Sequence, residues 1–172
     1  TGADGSFQLS GSVEGMGFVA QTDENTIDTS SGEVLDNVVL KAPSGSSVVT
    51  PTTTIMEAAN ITAEEVVAVL GLPAGVDPLS FNPYSADADP EIALAVEKVS
   101  QQVMTTVTAV SSAIEGAGGS AAAAFEMALE TVVEVVKEKT EAVKADPTAV
   151  IEVDFSNVEE IQAVTEKVAA KI

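Results

Sequence analysis

Apolar and polar positions repeat with two different periods along this chain, and the change falls near Pro51. Before it, Phe7 and Leu9 alternate with Gln8 and Ser10, the two-residue repeat that sets apolar side chains on one face of a strand. Comparable β-branched or aromatic runs, bounded by Gly, Asp and Ser, predict strands at 6–10, 16–21, 34–41 and 47–50. A sheet that small needs a cover for its apolar face.

After Pro51 the period becomes helical. Thr50 as cap with Pro51 at the first position predicts a helix entry, and this explains the Thr50–Thr54 run better than a nucleophile does. Thr62-Ala63-Glu64-Glu65 is a capping box ahead of Val66, Val67, Val69 and Leu70, and Gly71 with Pro73 stops that helix. Asp89 and Pro90 open a long helix whose stripe is Ile92, Val96, Val99, Val103, Val107, Val110 and Ile114. Gly116, Gly118 and Gly119 end it. Ser120 then caps a third helix with Phe125, Leu129, Val132, Val136 and Val143 on one face. A short strand at 150–153 and a capping box of Ser156 with Glu159 precede a last helix through Val158, Ile161, Val164 and Val168. The expected fold class is α+β: a β-rich portion at 1–50 with a small N-terminal sheet, then a C-terminal bundle of three to four helices at 51–172.

Composition narrows the chemistry. The chain has no His, Cys, Arg or Trp, with 27 Asp plus Glu against 7 Lys and a net charge of −20. Without imidazole or thiol, the usual general bases, nucleophile dyads and zinc ligands are missing, so no catalytic residue is assigned and a non-enzyme is expected. The negative charge repels phosphate backbones, which argues against nucleic acid as a partner, and no apolar run approaches a membrane span. The apolar content of 45% predicts a folded chain, and aromatics at 3% leave its core to Ala, Val, Ile and Leu. High acidity with many Ser, Thr and Gly points to an exterior location, and no basic segment followed by an apolar one marks a leader.

Acidic side chains are the only candidate ligands for a metal. Asp23, Asp28, Glu33 and Asp36 cluster in loops of the β portion, and calcium takes six to eight oxygens from such loops. A solvated surface competes with that reading, since so acidic a chain clusters carboxylates by composition alone. Asp87 and Asp89 precede the long helix, where Asp89 serves as its cap. Paired carboxylates at Glu64-Glu65 and Glu159-Glu160 lie in helix starts with no aromatic sugar platform beside them.

Four segments in order carry a resemblance. Ala3-Asp4-Gly5-Ser6-Phe7-Gln8-Leu9, Asp28-Thr29-Ser30-Ser31-Gly32, Ala42-Pro43-Ser44-Gly45-Ser46-Ser47-Val48-Val49-Thr50-Pro51 and Leu70-Gly71-Leu72-Pro73-Ala74-Gly75-Val76-Asp77-Pro78 resemble "ADGSFxL", "DTSTG", "APxGSxVVTP" and "LGLPxGVDL". These stretches are similar to helix-containing β modules of large secreted bacterial surface and adhesin proteins. The resemblance implies a partial prealbumin-like sandwich. In such modules an upstream segment rich in calcium-type oxygens supplies the first strands, and this sequence opens inside the module. The implied function is a non-catalytic structural or adhesion module at the cell surface, associating with itself or with neighbouring modules. Its specific form is a self-assembling filament subunit completed by strand exchange. The alternative is a calcium- or carbohydrate-binding accessory module of a larger secreted protein.

Overall fold

Two short strands, β1 (Phe18–Gln21) and β2 (Val39–Ala42), are followed by five helices: α1 (Pro51–Ala59), α2 (Ala63–Val69), α3 (Pro90–Gly116), α4 (Ala121–Ala145) and α5 (Val158–Ala169). The computed structural model describes the whole chain except residues 1, 3, 4, 11–13, 29–31, 33, 147 and 150. β1 and β2 pair antiparallel, with Phe18 opposite Ala42, Val19 opposite Lys41, Ala20 opposite Leu40 and Gln21 opposite Val39.

Local sequence explains the helix starts. Thr50 Oγ1 accepts the Thr53 N–H at 3.1 Å, and Thr53 Oγ1 accepts the Thr50 N–H at 2.8 Å, with Pro51 at the first helical position. Thr62 and Glu65 do the same for α2, where the Glu65 carboxylate accepts the Thr62 N–H at 2.8 Å. That bond and the Lys144 ammonium beside it lower the Glu65 pKa. Asp89 Oδ1 accepts from the Glu91 and Ile92 N–H groups at the start of α3. Each cap satisfies donors that the first helical turn leaves unpaired. Gly71, at φ +62°, turns the chain out of α2, where a side chain would also run into Glu152.

α4 is the hub. It packs against α1, α2, α3 and α5, and its fully buried positions include Ala124, Ala128, Val132 and Val136. Small side chains there let neighbouring helices approach closely, and the β-branched ones between them fill the remaining space. α3 folds back on α4 as a hairpin and buries Val96, Val103, Val107, Val110 and Ile114, with Ser100, Thr106 and Ser111 beside them. The continuous core also takes in Val38 from the β portion, and Leu35, Val39 and Leu40 pack against it.

The expected α+β arrangement of a partial prealbumin-like sandwich and a separate three- to four-helix bundle is not what forms. The only sheet among the described residues has two strands, and five helices dominate. α1 lies on β2 as well as on the other helices, so the helices do not make a small bundle apart from the sheet. Residues 6–10 and 47–50 are irregular, although the first keeps its alternation: among the described residues neither enters a strand pairing, and a strand needs one. The 34–41 run contributes only an isolated bridge, Val34 with Ile27, before β2 begins. At 151–154 no strand forms; instead the Val153 N–H donates to Val69 O at 2.7 Å, tying this stretch to the end of α2. Position 150 lies outside the described residues.

Two caps also differ from expectation. Ser120 stands at the cap position of α4 without a side-chain bond. At α5 the cap is Asn157, because Asp154 holds the Ser156 hydroxyl at 2.6 Å and so takes Ser156 out of the capping role. Val158 and Ile161, expected on the buried stripe, are exposed, while Val164 and Val168 are buried as expected.

Candidate functional site

The outer edges of the two strands are treated differently. Lys41 stands opposite Val19, and its backbone groups point away from β1: its N–H donates to Thr54 Oγ1 at 2.9 Å and its carbonyl accepts from Thr53 Oγ1 at 2.9 Å. The Thr54 hydroxyl in turn donates to Thr50 O at 2.7 Å. α1 thereby seals the outer edge of β2 with two threonine hydroxyls. In antiparallel pairing the residue opposite Lys41 also points its N–H and C=O outward. Val19 is therefore an open position, its backbone without a partner among the described residues and its side chain 66% exposed. Phe7, Leu9 and Met16 are exposed in the preceding stretch.

On the other side of β2 a groove of about 1020 Å³ lies between the β portion and α3. The buried part of its lining holds the apolar Val38, Leu72, Val76 and Val96 together with Thr52 and Ser100. Along α3 its wall carries Glu97, Gln101, Thr105 and Thr108, and Phe7, Phe81 and Tyr84 come to it from two separate connections. Thr52, at the start of α1, also lines the groove, and its buried hydroxyl has no partner among the described residues. No lysine lines it.

Tyr84, Glu97 and Gln101 all line the groove. The Glu97 carboxylate accepts from Gln101 Nε2 at 2.8 Å and acts on the ionisation of the Tyr84 phenol. Desolvation of the phenol pushes the Tyr84 pKa up to about 12, helped by the bond to Glu97 and the charges of Glu97 and Asp28. Tyr84 is the only tyrosine and there is no tryptophan, so its ionisation is read directly from phenolate absorbance. A midpoint at about 12 is expected, with Glu97→Gln returning it part of the way toward the ordinary value of about 10. A raised acid pKa means the fold favours the neutral phenol. That stabilisation is whole below the ordinary value and is lost as pH rises through the folded one. A wild-type midpoint near 10 would place Tyr84 outside the influence of Glu97.

The proposed calcium ligands do not converge. Asp23 is exposed and holds its own loop, its Oδ1 accepting the Asn25 N–H at 2.9 Å. Asp28 lines the groove near Tyr84, Asp36 is exposed, and Glu33 lies outside the described residues. Among the described residues no three acidic side chains gather in a way that could hold a metal ion. No helix is long and apolar enough to cross a membrane.

Sequence reasoning named neither the groove nor the open edge at Val19. The groove draws on residues from Gly5 to Ala109, so no local motif reveals it. The available signal was the pair Phe81 and Tyr84 in a Pro-rich connection, flanking a helix with polar residues one turn apart. No protein family, curated protein or solved structure matches this chain.

Proposed function

We propose that this chain is a non-catalytic structural module of an extracellular surface protein, joined to neighbouring modules through the open edge of its sheet. The observation that carries this reading is the asymmetry between the two strands. Thr53 and Thr54 close the edge of β2, whereas Val19 has no partner for its backbone donor and acceptor among the described residues and carries an exposed apolar side chain. Such an edge recruits another strand or is covered by one. The similarity to β modules of large secreted adhesins points the same way, and in its filament form the incoming strand comes from a second copy. A charge of −20 opposes close approach of two copies until salt screens it.

Association is expected to strengthen with ionic strength, read by sedimentation. Val19→Pro removes the outward N–H without touching a bond between β1 and β2, so it should block association and leave the circular dichroism unchanged. A wild-type protein that stays monomeric at high concentration and high salt would remove the self-assembling form. Association undiminished by Val19→Pro would move the contact away from this edge.

A further inference from the structure

We infer that the groove between β2 and α3 binds a neutral oligosaccharide, with Tyr84 as its stacking platform and Gln101 as a polar contact. Three features select this class of ligand. The first is charge: the lining holds two carboxylates, Asp28 and Glu97, and no lysine, inside a strongly acidic protein. Anionic ligands are repelled there, and two carboxylates without a third do not make a cation site.

The second feature is the pairing of an open aromatic face with planar hydrogen-bonding groups. Tyr84 is 73% exposed at the rim of the groove on the same side as Glu97, so its ring is open to a ligand. A tyrosine ring, with only two side-chain torsions, loses little freedom when a sugar face settles on it. Glu97 accepts and Gln101 both donates and accepts, which suits ligand hydroxyls. Phe81, half-buried, provides a second aromatic surface from the same connection.

The third feature is length. From Glu97 to Thr108 the polar wall runs along α3 for roughly 16 Å at the rise of a helix. Gln101 and Thr105 fall between them at one-turn intervals, and the exposed hydroxyls of Thr105 and Thr108 continue the wall beyond the amide. That repeat fits a chain of hydroxylated rings better than a single small molecule. An apolar ligand would cover these groups without pairing them, at a cost in lost hydrogen bonds to water. Val19 takes no part in this site, so sugar binding and edge association stand or fall separately.

Tyrosine fluorescence provides the readout, since Tyr84 alone emits. The full chain is titrated with hexasaccharides of glucose, xylose, mannose and N-acetylglucosamine, and with polygalacturonate as the anionic comparison. At least one neutral hexasaccharide should give a saturable change below about 10 mM, with polygalacturonate giving none. By calorimetry, Tyr84→Ala and Gln101→Leu should each weaken that binding by about tenfold, and Tyr84→Phe by less, since the ring persists. Both side chains are exposed, so the melting temperatures should stay at the wild-type value. The inference is overturned if none of the four sugars binds, if polygalacturonate binds as well, or if Tyr84→Ala and Gln101→Leu leave the affinity unchanged. A fluorescence change that depends on protein concentration without sugar would assign the groove to a second copy and overturn it equally.

Discussion

Val136→Asp is expected to abolish the folded state. Val136 is fully buried on α4, the helix that touches the other four, so a carboxylate there must be desolvated or protonated in the centre of the core. The cost is several kcal/mol against a total stability of about 5 to 15 kcal/mol for domains of this kind. Circular dichroism should show no cooperative melt. Ser112→Asp, at an exposed position of α3, should melt as the wild type does. A Val136→Asp protein with wild-type melting would mean that α4 is not the hub. Ser100 lies off the valine stripe but is buried, so an aspartate there should also destabilise.

The joint between α1 and β2 should be nearly as sensitive. Replacing both Thr53 and Thr54 by Val keeps the shape but leaves the outward N–H and carbonyl of Lys41 without partners and removes half of the α1 capping box. A loss of about 2 to 4 kcal/mol is expected, seen as a lower urea midpoint at unchanged slope. Thr52→Val is the internal comparison: its hydroxyl is buried with no partner among the described residues, so its removal should be neutral or stabilising. Equal losses for Thr52→Val and the double variant would show that the hydroxyl bonds to Lys41 carry no stability.

Helix starts were legible because their signals are local. Thr50 with Pro51, Thr62 with Glu65, and Asp89 with Pro90 each contain donor, acceptor and backbone geometry within a few residues. Strands were not legible in the same way. Phe7 and Leu9 alternate with polar neighbours as strand residues do, yet pairing is decided by what else lies nearby, and alternation carries no information about that. β2 formed where α1 could hold its far edge, and that help comes from threonines more than ten positions further on. The start of α5 was misplaced for a related reason, since Asp154 outside the helix competes for Ser156. The candidate groove was the least legible feature because its walls come from the β portion, the Pro-rich connection and α3 together.

The attachment of α5 has a consequence in time as well as in space. Val164 and Val168 anchor it, but Val158 and Ile161 at its start are exposed, and the helix is held to α4 by lysine pairs: Lys139 with Glu160, Lys167 with Glu138 and Lys171 with Glu134. Glu160 is buried, but the Lys167 and Lys171 pairs are largely exposed and such pairs contribute little and weaken in salt, so α5 is the part of the molecule most ready to lift away while the other four helices stay closed. Amide protons of α5 should then exchange with solvent long before those in the middle of α4, and the gap between them should widen as salt is added. The molecule would breathe at its last helix and keep its centre shut.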